Sequence, residues 1–352
     1  AFLAEMNTMY ESKAGERGIF SRVAAKNIAE RNGRRDPNHE FGTNPCSEII
    51  LRSNQFCNLS EIVVRSGDSL ATLNQKAEIA AIIGTLQATL TDFRYLRNLW
   101  KRNTEEEALL GVSMTGIMDH KILSGSEPKE LEKWLESIKN VAIKTNKSWA
   151  FKLGINQSAA ITCVKPSGTV SQLVDSASGI HPRFSEYYIR RVRSDKKDPL
   201  AVFMSEVGFP VEQDFMSEAS LVFSFPVKAP KNAVTVSEVG AIQQLELWKT
   251  YQNHWCEHKP SITVYYTDDE FLQVAQWIWN NFDLCSGISL LPFSDHLYQQ
   301  APYESIDSSK YKELLAAMPK NIEWTDLINY EQEDNTTGSQ ELACVGGACE
   351  IV

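Results

Sequence analysis

The sequence predicts an α/β fold, and three observations predict it. Short apolar runs bounded by Gly, Pro or polar residues recur along the chain. Stretches with apolar residues at helical spacing separate them, and no repeat at a fixed period is present. Short strands alternating with helices imply mainly parallel, buried strands.

The elements follow in chain order. Residues 1–30 read as helical, and a polar loop, RNGRRDPNHEFGT at 31–43, leads to Pro45. Over 69–101 the apolar positions Leu70, Leu73, Ile79, Ile83, Leu86 and Leu90 fit a helix. Thr104, with Glu107 three residues on, matches a capping box and predicts a helix start there. LLGVSMTG (109–116) reads as a buried strand and 127–153 as an amphipathic helix. AAITCV (159–164) predicts a strand running straight into KPSGTVS. SLVFSFPV (220–227), SITVYY (261–266) and SGISLLP (286–292) are further strands, with helices near 237–256 and 268–281. Residues 331–352 are polar and Gly-rich and read as a mobile tail.

Length and composition bound the function. With 352 residues, 43% hydrophobic and 23% charged, the chain can bury a substantial core. A formal net charge of −10 disfavours broad binding to nucleic acid or an anionic membrane. The sequence holds no apolar run long enough to span a bilayer, and its start lacks a secretion-signal pattern. Seven cysteines, an odd number spread over a long chain, are not a secreted disulfide framework and suggest a reducing cytoplasm. The chain opens on Ala1 rather than Met, which predicts a fragment or one half of a split protein.

Four motifs carry chemistry. In NPCSE, extended backbone would turn Asn44, Cys46 and Glu48 to one side, bringing together an amide, a thiol and a carboxylate. A polar loop with one buried cysteine is the plain alternative, and a Cys–His protease a second, although His39 is the nearest histidine. Cys57, eleven residues after Cys46, could meet it across a hairpin-like excursion. KPSGTVS offers small hydroxyls and backbone N–H groups between a strand and a helix, an anion site or simply a capped helix start. Cys344 and Cys349, separated by VGGA, suit a dithiol that closes to a disulfide and reopens by exchange. The arginines of YYIRRVR (187–193) read as a solvated or salt-bridged face. HWCEH (254–258) reads as structural rather than as a metal site, because Cys256 would point away from the two histidines on a helix.

Together these pieces resemble a ribonucleotide reductase. GRRDPNHEFGTNPCSEIILR, KPSGTVSQLVDSASGIHPR and NTTGSQELACVGGACEIV are long matches; the resemblance covers essentially all of this chain but only the C-terminal half of the family's catalytic chain. It implies a ten-stranded α/β barrel of two five-stranded halves, with this chain supplying the finger loop (near 43–60) and the second half. Residues 1–330 would form that barrel part and 331–352 a flexible redox-active tail. By the same resemblance, Cys46 would hold a transient thiyl radical that takes the ribose 3′ hydrogen. Glu48 would be the base on the 3′ hydroxyl, and Asn44 would hold the substrate hydroxyls. Cys57 would be one of two reducing thiols, its partner lying in the absent half. Cys344 and Cys349 would reduce that disulfide and be restored by a thioredoxin-like partner. Pro166, Ser167, Gly168, Thr169, Val170 and Ser171 would grip substrate phosphate.

The spacing of Cys46 and Cys57 is most similar to that of the adenosylcobalamin-dependent class, with triphosphate substrates. The iron- or manganese-dependent class is the alternative. It needs a tyrosine pair, and Tyr265–Tyr266 fall near its expected place but read as strand residues. An inactive split piece needing its N-terminal half is the other alternative.

Overall fold

A computed structural model describes residues 1–13, 15, 17–293 and 299–331. In chain order the elements are α1 (Phe2–Ser12), β1 (Gly18–Ile19), α2 (Arg22–Arg31), β2 (Phe41–Thr43), β3 (Ile50–Arg52), β4 (Asn58–Val63), α3 (Leu70–Gln87), α4 (Asn98–Glu107), β5 (Leu110–Thr115), α5 (Pro128–Leu153) and α6 (Val170–Leu173). They continue with β6 (Tyr187–Asp195), α7 (Pro199–Glu206), β7 (Val211–Gln213), β8 (Ser220–Lys228), α8 (Ala241–His254), β9 (Thr263–Tyr266), α9 (Phe271–Asn280), β10 (Ile288–Pro292), β11 (Tyr303–Ser305) and α10 (Ser308–Ala317).

The chain divides into two compact units. The first contains 1–183 and 231–293. Its centre is a row of parallel strands. β4 pairs with β5 over its whole length, Asn58 opposite Leu110 and Val63 opposite Thr115. Segment 159–164 continues the row: Val112 N–H donates to Ile161 O (2.7 Å) and Cys163 N–H to Val112 O (3.0 Å). On its other side Val164 N–H donates to Lys259 O (3.2 Å) and Ser261 N–H to Val164 O (2.8 Å). β9 and β10 follow in parallel, and β1 closes the row antiparallel to β10. Every residue of β5 is buried, as expected of the middle of a parallel sheet. Leu110, Val112 and Met114 are each fully buried, and each contributes on the order of 2 kcal/mol. α3 opens on a capping box of Ser69 and Thr72, and its Ala77, Ala81 and Gly84 are small enough to let it lie close over the strands.

The second unit contains 184–230 and the described residues 299–331. Its sheet, ordered β11-β6-β8-β7, is antiparallel throughout. The mainly parallel expectation therefore holds for the first unit and fails here, where nine-residue β6 and β8 pair along their full length. Each arginine of YYIRRVR is held within its own unit: Arg190 by the Tyr303 hydroxyl, Arg191 by Glu304, Arg193 by Asp214. This is the salt-bridged reading of that stretch.

Two other expectations need correction. The helix read across 69–101 stops at Gln87 and resumes at Asn98. Thr104 does not start a helix but lies inside α4, where its hydroxyl accepts from Phe56 N–H. The apparent cap partner, Glu107, is taken by Arg35 in a buried two-pronged ion pair at 2.9 Å.

Candidate active site

NPCSEI fills the hairpin between β2 and β3, which pair with Thr43 opposite Ile50. The loop is not extended. Ser47 N–H donates to Asn44 O (2.9 Å), so Pro45 and Cys46 are the corners of a tight turn, and Ser47 takes a left-handed φ of 67°. Proline's fixed φ suits the first corner of such a turn. The Asn44 side chain closes the loop from within, its Oδ1 accepting from Ile49 N–H at 2.9 Å. The turn leaves the Cys46 side chain half-buried and carries Glu48 to 0% exposure.

The segment just before β9 holds this loop residue by residue. Ser261 Oγ donates to Cys46 O (2.6 Å), Lys259 Nζ donates to Ser47 Oγ, and Lys259 N–H donates to Glu48 O (3.3 Å). His258 Nδ1 accepts from Ile50 N–H at 3.3 Å, while its Nε2 lies 2.9 Å from Leu110 O. Glu48 meets a second lysine: Lys165 Nζ stands 3.4 Å from its Oε1, and its Oε2 is buried with no hydrogen-bond partner among the described residues. Burial opposes the charge on Lys165, but Glu48 and the neighbouring Cys46 carry its pKa above the ordinary lysine value.

Lys165 also leads into the KPSGTVS loop. Ser167 is buried there, and its hydroxyl donates to Glu61 Oε2 at 2.6 Å. Burial raises the Glu61 carboxyl, against the pull of Ser167 and Lys165. Gly179 (φ 54°) lets the chain pass under this loop, since a Cβ there would stand 2.4 Å from Lys165 O. The predicted helix after the loop is a single turn, α6. Ser171 is fully buried, Pro166 and Gly168 are half-buried, and Thr169 and Val170 are exposed. The outward groups of this loop are thus Thr169, Val170 and backbone, while the two serines are buried.

Cys57 packs with Leu51 against Leu109, Ala159 and Ala160. Burial pushes its thiol far up, and the Glu48 charge adds to this. Cys163, on the neighbouring strand segment, is fully buried and is raised by burial and by the same Glu48 charge. Cys344 and Cys349 lie outside the described residues. His254 hydrogen-bonds Glu136 at 2.8 Å, and Cys256 and His258 are buried in the core, which is the structural reading of HWCEH. Tyr265 and Tyr266 are strand residues of β9, with Tyr266 buried against Phe271.

Sequence reasoning missed Lys165, Glu61, Lys259 and Ser261. Lys165 stood inside a quoted motif without a role, and Glu61 stood four residues past Cys57 without one. Lys259 and Ser261 lie over 200 residues from the loop they hold, and no local pattern marks them.

No known family signature matches the chain. It is 28% identical to the adenosylcobalamin-dependent ribonucleoside-triphosphate reductase of Lactobacillus acidophilus over 88% of its own length and 45% of that protein. It is 28% identical to the enzyme of the same name from Lacticaseibacillus paracasei, over 97% of this chain and 50% of that one. Among solved structures it resembles a B12-dependent (class II) ribonucleotide reductase with a TM-score of 0.69 at 26% identity, over 84% of this chain and 44% of that one. The class Id ribonucleotide reductase alpha subunit of Actinobacillus ureae shares the fold, with a TM-score of 0.55 at 13% identity. The chain is thus similar to the ribonucleotide reductase catalytic chains. Among the proteins it matches, those of higher identity are of the adenosylcobalamin-dependent type, and it spans about half the length of the curated relatives it matches.

Proposed function

We propose that this chain carries the reacting loop of an adenosylcobalamin-dependent reductase that converts ribonucleoside triphosphates to 2′-deoxyribonucleotides. The observation that carries this reading is the pairing of a half-buried thiol, Cys46, with a buried carboxylate, Glu48, whose Oε2 has no hydrogen-bond partner among the described residues. A buried acceptor without a donor is costly. A ribose hydroxyl is a donor of the required kind. The names of the similar enzymes supply the nucleoside triphosphate and the cofactor.

In this reading the partial exposure of Cys46 fits a thiol that must meet a radical source. When bound, adenosylcobalamin supplies the radical that oxidises this thiol. The Cys46 sulfur then takes the 3′ hydrogen from the sugar and later returns it. Glu48 accepts the 3′ hydroxyl proton through Oε2, and the Cys57 thiol gives the 2′ hydroxyl the proton with which it leaves as water. Asn44 shapes the turn with its Oδ1 and has its amide N–H groups to offer the substrate. Cys57 supplies one of the two reducing thiols; its high pKa keeps it protonated, as a hydrogen donor must be. Thr169 and the backbone of 166–171 meet phosphate, with Lys165 adding positive charge. Cys344 and Cys349 regenerate the active-site thiols and are themselves restored by a thioredoxin-like protein. A cytoplasmic location accords with this, and no described helix is long and apolar enough to cross a membrane.

The five-membered parallel row fits one half of a ten-stranded α/β barrel. The outer edge of β4 has no strand partner among the described residues. Beside it lies a groove of about 470 Å³ lined by Leu59, Ile79 and Ile83. These three side chains are exposed. We assign this edge to the remaining half of the catalytic chain.

The test is complementation with the N-terminal half of a related reductase, reading deoxynucleotide formation. Activity should require adenosylcobalamin, and Cys46→Ser should abolish it. Cys344→Ser should spare a single turnover and block recycling. Full activity with a metal-containing radical subunit in place of the cobalamin would overturn the class, and an active Cys46→Ser variant would overturn the mechanism.

A further inference from the structure

The segment His258–Ser261 is built around the thiol loop more closely than a strand start requires. Three successive loop residues are held by it: Cys46 through Ser261 Oγ, Ser47 through Lys259 Nζ, and Glu48 through Lys259 N–H. The central grip is unusual. Lys259 is fully buried, and its ammonium reaches Ser47 Oγ and Ser286 O (3.0 Å) over the face of Phe20 (5.1 Å). The space it occupies depends on Gly287, where a Cβ would stand 2.1 Å from Nζ. Ser47 is the one loop residue in the left-handed region, a conformation that a non-glycine residue holds only when its surroundings enforce it.

We propose that Lys259 is a positioning residue that pins Ser47 and thereby fixes Cys46 and Glu48 in register, with a grip that loosens as its proton is lost. The inference rests on reading this loop as the reacting loop, but not on turnover. Burial lowers the Lys259 pKa to about 7, with Glu48 pulling the other way. The charged groups around it are few. Glu48 faces it from the loop, and Lys165, just after the 159–164 segment, shares Glu48. His258, its chain neighbour, is held neutral by burial. Ser286 and Phe20 present no charge. A charged donor makes the stronger hydrogen bond, so the grip is firm below pH 7 and weaker above it.

The test is hydrogen exchange of the Ser47 and Ile49 amides, corrected for intrinsic rate, between pH 6 and 8.5. Protection should fall about ten-fold across that range in the wild type. Ser47→Ala should remove the step and expose the loop at both ends of the range. Lys259→Arg, if it folds, should keep protection flat, because guanidinium holds its proton. Direct titration of a ¹⁵N-labelled Lys259 should show a midpoint near 7. A step that persists in Ser47→Ala, or a Lys259 that stays charged to pH 9, would overturn the proposal. If these results hold while Cys46→Ser stays active, the positioning role stands and the reductase reading falls.

Discussion

At the scale of single residues, the candidate site is a thiol and a carboxylate set by one tight turn. Glu48 is the sharpest case. It is fully buried, one oxygen faces Lys165, and the other has no donor among the described residues. Glu48→Gln keeps the shape and replaces an acceptor with an amide. If Oε2 is the base, this change should lower kcat by about 10²–10⁴-fold while leaving nucleotide KM nearly unchanged. Steady-state rates with the complemented enzyme measure the split, and a change confined to KM would move Glu48 from catalysis to binding. That Cys46 and Glu48 share one loop was legible in the sequence because the motif is compact. Their geometry was not. An Asn before a proline suits extended backbone, yet Pro45 equally suits the corner of a turn, and the Ser47 N–H to Asn44 O bond decides for the turn.

At the scale of elements, the loop is braced by a polar core behind it. Arg35 follows α2, and its guanidinium makes two 2.9 Å bonds to Glu107 at the end of α4. Gln55 donates to the same carboxylate, and it lies on the stretch that leads from β3 to Cys57. Burial works against the Glu107 charge, but the Arg35 bonds outweigh it and hold the carboxyl below its usual range. Arg35→Met leaves that charge buried without its cation and should cost about 3–5 kcal/mol. Urea unfolding followed by far-UV circular dichroism would read it as a lower midpoint at unchanged slope. Periodicity gave β5 and α5 almost to the residue, because full burial and a long amphipathic face are local properties of the chain. It gave α4 the wrong start, because Glu107 answers to Arg35, 72 residues upstream, rather than to Thr104.

At the scale of the whole molecule, buried neutral histidines couple stability to pH. Burial, helped by the Arg35 charge, lowers His258 to about 3, and burial lowers His181 as well. An unfolded histidine titrates near 6.5, so between about pH 6.5 and 3 the unfolded chain binds the protons that the folded chain refuses. Stability should therefore fall on acidification through this window, by up to about 1.4 kcal/mol per pH unit for His258 alone. Unfolding midpoints at pH 7.5 and 5.5 measure the drop. His258→Gln should lose stability at pH 7.5 but show a shallower drop; an equal drop in the variant would assign the effect to other groups. The α/β class and the order of most elements followed from the sequence. The antiparallel second unit did not, because pairing between β6 and β8 is a contact between strands that period alone cannot orient.

The grip of Ser261 on Cys46 spans 215 positions of chain. A ribosome adding about 5–20 residues each second needs roughly ten to forty seconds to make that interval. Through all that time the nascent chain has its cysteine but not the hand that shapes it. The thiol to which we assign an unpaired electron thus takes its shape only once the segment that holds it has been made.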